Sequence, residues 1–252
     1  MADPLLVTIS FSHFCEKARW ALDRTGIAYR ESGHLPFFHA LAVRRAGGKR
    51  TTPVLVTDEG VLEDSTDILV WADKRRPAAN LFGKTRDDRR EVERLESYFD
   101  EALGPHTRRW AYFQVLPDRE VTLAMFGAQE GVPAHQRKAL AVGFPVARAI
   151  MRRVMRIDAE GAARSRQKID EVFDTVGQQL ADGRRYLVGD TLTAADITFA
   201  ALAVPVVLPE GHPSRLPRVE SLRAEARGCI QRWREHPAGV FALRMMREHR
   251  KG

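Results

Sequence analysis

Leu5, Val7 and Ile9 alternate in the first apolar run of the chain, and a few residues later the period changes. Ala18, Ala21 and Leu22 recur at helical intervals. The change predicts a strand that hands over to a helix near Ser12. Tyr29-Arg30-Glu31-Ser32 reads as a second strand, and Phe37 to Ala46 as a short helix ended by Gly47-Gly48. Thr57-Asp58-Glu59-Gly60 separates the runs Val54-Val56 and Val61-Leu62, which predicts an antiparallel hairpin. Ile68, Leu69 and Trp71 then take up a helical period. The predicted order is strand, helix, strand, helix, strand, strand, helix.

Pro77-Ala78-Ala79-Asn80, with Gly83 beyond, reads as a linker, and no strand pattern follows it. The expected division is therefore 1–83 as an α/β domain and 84–252 as an all-helical domain. Thr85 to Tyr112 reads as one long helix broken at Gly104-Pro105. Arg164 to Asp182 is a second, with Ile169, Val172, Phe173, Val176 and Leu180 on one face. Thr193 to Leu208 follows, then a Pro-rich loop from Pro209 to Pro217, then helices through Trp233 and Phe241. Between Gly131 and Glu160 a loop leads into a helix whose apolar stripe is Val146, Ala147, Ile150, Met151, Val154 and Ile157. Arg148, Arg152, Arg153 and Arg156 lie mainly on its other side. The pattern is open to peripheral contact with an anionic membrane, but the expected arrangement packs the stripe on its own domain and leaves the arginines in solvent.

A chain of 252 residues, 44% hydrophobic and 29% charged, fits a globular protein of two domains. Its net charge is +7, yet residues 1–83 hold 11 Lys/Arg against 10 Asp/Glu, so the excess lies in the helical part. The basic residues alternate with acids and carry no nucleic-acid motif, so no nucleic-acid partner is expected. Only Cys15 and Cys229 are present, which excludes a disulfide framework and favours a reducing, cytoplasmic setting. The start of the chain lacks the basic region of a secretory signal. Ala194 to Leu208, the longest apolar helix, contains Asp196 and Pro205 and is too short for a stable membrane span.

Three local phrases carry candidate chemistry, and a fourth carries folding. Ser12-His13-Phe14-Cys15 places a hydroxyl and a thiol where a strand meets a helix N-terminus. Unpaired amides and the helix dipole favour negative charge there, and a thiolate is such a charge. Thr51-Thr52-Pro53-Val54-Leu55-Val56 is an apolar strand opened by a proline that cannot donate to a ladder. Asp64-Ser65 follows the short strand Val61-Leu62 with residues suited to capping a helix, and a helix start is also an anion site. Thr193-Ala194-Ala195-Asp196, after Tyr186-Leu187-Val188-Gly189-Asp190, has the S/T-x-x-D form of a capping box, with Leu192 and Ile197 placed as a staple.

The strand–S-x-x-C–helix turn resembles the active-site turn of the thioredoxin superfamily, with Ser12 replacing the first cysteine. Together the four phrases resemble the serine-type cytosolic glutathione transferases over nearly the whole chain, from Leu5 to Trp233-Arg234-Glu235-His236-Pro237. Glu16-Lys17-Ala18-Arg19 is also similar to the membrane-associated prostaglandin E synthase branch, which keeps two cysteines. The resemblance implies an N-terminal thioredoxin-like domain with a mixed four-stranded sheet, a cis-Pro53, and an all-helical C-terminal domain. It implies glutathione as co-substrate, with Thr52 and Pro53 facing its backbone and Asp64 and Ser65 receiving the γ-glutamyl ammonium and carboxylate. Lys49 and Arg50 are candidates for the glycyl carboxylate. It further implies a homodimer and a small hydrophobic electrophile, for which Phe11, Arg108, Tyr112 and Phe113 are candidate contacts.

The expected activity is activation of the glutathione thiolate for attack on that electrophile. Ser12 is the candidate donor to the sulfur, because a free thiol titrates at about 8.5 and must be brought down. Cys15 is the rival catalytic residue, in a glutathione-dependent thiol–disulfide reductase, although its second position in the turn suits packing. A non-catalytic binding or assembly module remains the third reading. His13 is expected to face solvent.

Overall fold

The computed structural model describes residues 3–127 and 131–250. Its first part contains strand β1 (Leu5–Ile9), helix α1 (His13–Arg24), β2 (Arg30–His34), α2 (His39–Arg45), β3 (Val54–Thr57), β4 (Gly60–Leu62) and α3 (Ser65–Arg75). This is the predicted order. The sheet runs β2-β1-β3-β4, with β2 parallel to β1 and the other two neighbours antiparallel. β1 is central, so Leu6 and Val7 are both buried, on opposite faces. Leu6 packs with Leu55 under α1 and α3, whereas Val7 packs with Val43 of α2 and Val54. The Thr52–Pro53 peptide is cis and leads directly into β3.

The helical part comprises α4 (Arg86–Ala102), α5 (Gly104–Val115), α6 (Arg119–Gly127), α7 (Ala134–Val154), α8 (Ala159–Gln179), α9 (Ala194–Val207), α10 (Ala224–Glu235) and α11 (Pro237–His249). The expected break in the long helix falls at Leu103, where α4 ends and Gly104-Pro105 opens α5. α9 is apolar all round and buried on every side, as a helix at the centre of a bundle must be. Its start is fixed by Asp196, whose carboxylate accepts the Thr193 N–H at 2.7 Å and the Leu187 N–H at 2.8 Å. Burial pushes Asp196 up to about 6. The two parts share one core, since Trp20, Ala21 and Leu69 join α4, α5, α8, α9 and α11 in a single apolar cluster. The connecting segment contributes too: Leu81 is buried, and its carbonyl accepts the Ala194 N–H at 2.7 Å.

α7 departs from the expected packing. Of its predicted stripe, Ala147, Met151 and the following Ile157 are buried with Leu140 and Phe144, but Val146, Ile150 and Val154 are exposed. The stripe is too wide for one contact. Its first flank packs on α5 and α6, and the other turns to solvent. α6, which the pattern analysis leaves unassigned, supplies Phe126 to the packed side.

Candidate functional site

The site begins where β1 ends. Ser12 is the N-cap of α1, with extended backbone, and its Oγ accepts the Cys15 N–H at a long 3.5 Å. Its Oγ is thus a weak cap acceptor, and the residue is half-buried. Cys15 points inward and is fully buried. Burial pushes its thiol up, and this outweighs the pull of Arg19 and of hydrogen bonds from Ser12, the Ile9 backbone and Thr52. Those contacts bring Ser12, Cys15 and Thr52 together around the cis peptide, although the residues come from two separate segments.

His13 is buried rather than solvent-facing, which corrects the sequence expectation. Its Nε2 lies 2.9 Å from the Gly104 carbonyl at the α4–α5 junction. Burial, reinforced by Arg108, lowers it to about 3, so the ring is neutral and Nε2–H donates to that carbonyl. A Cβ at Gly104 would run into the Phe14 ring, so glycine there lets α1 dock closely. The break in the long helix and the β1–α1 turn therefore support each other.

Asp64 is exposed and caps α3, accepting the Thr66 N–H at 2.8 Å, while Ser65 beside it is buried. Beneath this helix start lies a charge cluster that the sequence reading missed. Lys17, fully buried, pairs with Glu96 and with Asp100 at 2.7 Å, and lies 3.3 Å from Thr66 Oγ1. Thr66 Oγ1 also donates to Glu96 at 2.7 Å. Burial raises Asp100 to about 6 despite Lys17, and its Oδ1 has no hydrogen-bond partner among the described residues. The spacing of Glu96 and Asp100, one helical turn apart, was the available signal, but nothing local says that both point inward.

The other charges of Glu16-Lys17-Ala18-Arg19 are equally interior. Arg19 holds Glu31 through Nε at 3.0 Å and Nη2 at 2.7 Å, and donates to the Ser10 carbonyl at 2.9 Å. Glu16 pairs with Arg250, which follows α11. Burial pushes Glu16 up, but Arg250, His212 and Arg19 prevail and hold its carboxyl below the usual range. The motif is an internal ion network. It ties α1 to β2, α4 and the end of the chain.

The remaining candidates are placed less closely. Arg50 is exposed and makes no hydrogen bond or ion pair with a described residue, whereas Lys49 is occupied by Glu63 through its N–H at 2.7 Å. Phe11 stacks on Phe126 with centroids 4.3 Å apart, Tyr112 meets Phe126 edge-on, and Arg108 lies over Phe14. Phe11, Tyr112 and Phe113 are thus part of a packed cluster with α6 and α7. Burial pushes Tyr112 up to about 12. A cavity of about 700 Å³ borders that cluster, lined by Leu35, Leu123, Met125, Leu140, Arg137 and Arg218 among others. Leu35 is held to α7, since its N–H donates to Gln136 Oε1 at 3.1 Å.

A sheet of order β2-β1-β3-β4 with a cis-proline before β3, joined to a helical domain, defines a thioredoxin-like protein of the transferase architecture. Residues 6–80 match the model of the glutathione S-transferase N-terminal domain, and residues 159–236 match that of the C-terminal domain. The chain belongs to the glutathione S-transferase family. Solved structures agree in fold. A serine-to-cysteine mutant of a poplar glutathione transferase superposes with a TM-score of 0.63 at 11% identity, covering 99% of this chain and 94% of that one. A Rhodospirillum rubrum glutathione S-transferase gives 0.60 at 20% identity, over 98% and 89%. A Methylobacillus flagellatus glutathione S-transferase, solved with glutathione bound, gives 0.58 at 17% identity, over 98% and 96%. No match was found among curated proteins. Among the described residues no helix is long and apolar enough to cross a membrane.

Proposed function

We propose that this protein is a glutathione transferase in which Ser12 activates the thiol of bound glutathione. The observation that carries the reading is the contrast within the turn: Cys15 is buried with its thiol pushed up, while Ser12 stands half-buried at the helix N-cap, where its hydroxyl can turn from Cys15 to a bound sulfur. A hydrogen bond from Ser12 is stronger to a thiolate than to a thiol, so it lowers the pKa of the bound sulfur. The thiolate then forms a carbon–sulfur bond with an electrophile, whose leaving group departs with the electron pair. Thr52 orients the tripeptide backbone beside Pro53. The start of α3 at Ser65 receives the γ-glutamyl carboxylate, and Asp64 receives its ammonium. Arg50, exposed near the strand entry, is the remaining cation for the glycyl carboxylate. A homodimer in a reducing, cytoplasmic setting completes the reading.

The test is a pair of variants assayed with glutathione and an activated aryl halide. Ser12→Ala is expected to raise the apparent pKa of the bound thiol and to slow conjugation at neutral pH by roughly 10- to 100-fold, the worth of one charge-assisted hydrogen bond. Cys15→Ala is expected to cost stability and leave turnover close to wild type. A silent Ser12→Ala together with a Cys15→Ala that abolishes glutathione–disulfide exchange would establish the reductase instead. Failure of the wild type to bind glutathione at millimolar concentration would establish a non-catalytic module.

A further inference from the structure

Among the described residues the outer face of α7 gathers four exposed aliphatic side chains in one row. Val142, Val146, Ile150 and Val154 are 87%, 65%, 44% and 68% exposed. Each lies four residues after the last, so the four form a ridge with only about 40° of drift per step. Lys138, four residues before Val142, continues the line, and Arg153, seven after Val146, rises within it. The opposite side of the helix carries Leu140, Phe144 and Met151, all buried. The ridge is therefore a second apolar face on a helix already anchored by its first.

The charge around it is one-sided. From Gly131 to Ile157 the chain holds six Lys/Arg and no Asp or Glu. None of the six forms an ion pair with a described residue. On α4 and α8, by contrast, exposed basic residues pair with carboxylates three or four residues away, as Arg94 does with Glu91 and Lys168 with Glu171. The apolar half of the α7 surface is thus uncovered, and the basic half has no carboxylate partner among the described residues. Hydrocarbon is exposed in a row, and cations stand beside it uncompensated.

We infer that α7 docks on an anionic phospholipid surface, lying flat with the Val142–Val154 ridge in the headgroup–acyl boundary. An apolar ridge flanked by cations alone matches a bilayer whose acyl region takes the valines and whose anionic headgroups take the charge. Lys138, Arg152, Arg153 and Arg156 meet lipid phosphates and carboxylates, and their long stems let the charged ends reach the headgroups while the valines enter. A second copy of this chain fits poorly, because two α7 helices face to face would oppose like charges with no acid between them. α7 spans 21 residues and is held by its packed side, so binding requires no refolding of the domain.

The experiment is flotation of the full chain with vesicles of phosphatidylcholine alone, and of phosphatidylcholine with about one third phosphatidylserine. The expected result is binding to the second only, weakened in ~0.5 M salt as screening removes the electrostatic part. Val146→Asp with Ile150→Asp should lower the bound fraction about tenfold or more, with the circular dichroism unchanged. Arg90→Gln with Arg247→Gln makes the same change of two in net charge on other helices and should lower it no more than about twofold. Since Cys15 and Cys229 are buried, Val142→Cys can carry an environment-sensitive dye, which should shift to the blue on serine-containing vesicles. Absence of binding at low salt overturns the inference. So does equal loss in both pairs of variants, which would mean that net charge alone acts. Self-association in sedimentation velocity that Val146→Asp with Ile150→Asp abolishes, or binding of duplex DNA in place of vesicles, would assign the face to another occupant and overturn it as well.

Discussion

α1 and α7 invert the usual rule of burial in opposite directions. In α1 the charged residues Glu16, Lys17 and Arg19 are interior, and in α7 the aliphatic residues Val142, Val146 and Val154 are exposed. Each of these three α1 charges has a partner from another segment: Lys17 has Glu96 and Asp100, Arg19 has Glu31, and Glu16 has Arg250. The α7 ridge is uncovered, and its arginines have no ion-pair partner among the described residues. Side-chain type does not decide position by itself. Partners do, because a buried charge is tolerable only when paired and hydrogen-bonded, and an apolar face is buried only where another surface reaches it.

Removing the cation of the α1 network should have the largest effect on this contrast. Lys17→Met leaves Glu96 and Asp100 facing each other in the interior, and the expected loss is about 3–5 kcal/mol in urea unfolding. Adding Glu96→Gln should recover part of it. If Lys17→Met is neutral, the network is not what seats α1.

The next effect is a pH dependence. Asp100 is raised from 3.8 to about 6, so the folded chain holds its proton more tightly than the unfolded chain does. This group therefore disfavours the fold above pH 6, and the penalty fades as pH falls from 6 toward 4. In Asp100→Asn that dependence is absent. The stability difference, variant minus wild type, should be about 1–2 kcal/mol more favourable to the variant at pH 7.5 than at pH 4.5, after discounting for partial exposure. Unfolding at the two pH values measures it, and a difference that does not change with pH would contradict the raised carboxyl.

The smallest expected change lies on α7. Val142→Thr with Val146→Thr should alter stability by no more than about 0.5 kcal/mol per site, because neither side chain is packed. A loss several times larger in thermal unfolding would mean that the ridge is covered in solution.

Legibility along the chain followed the range of the interactions. The order of strands and helices, the hairpin at Asp58-Glu59, the break at Gly104-Pro105 and the Thr193–Asp196 cap are all local patterns, readable within a few residues. The phrases around Ser12, Pro53 and Asp64-Ser65 were readable for the same reason. His13 was misjudged because its partner, the Gly104 carbonyl, lies 91 residues on. α7 was misjudged because a wide stripe does not say which of its flanks meets the domain.

The sequence by itself determined the elements, their order, the caps that begin α1, α3 and α9, and the family to which the chain belongs. Periodicity and capping act between near neighbours, and the elements and caps follow from them, while the family follows from the resemblance of four short phrases. Only the tertiary structure decided that Glu16-Lys17-Ala18-Arg19 is an ion network rather than a surface, since Lys17 meets Asp100 across 83 residues and Glu16 meets Arg250 across 234. It likewise decided that Cys15 is sealed under Ser12 while one side of α7 stays open. Desolvation and pairing depend on which distant segments converge, and no local spacing encodes that.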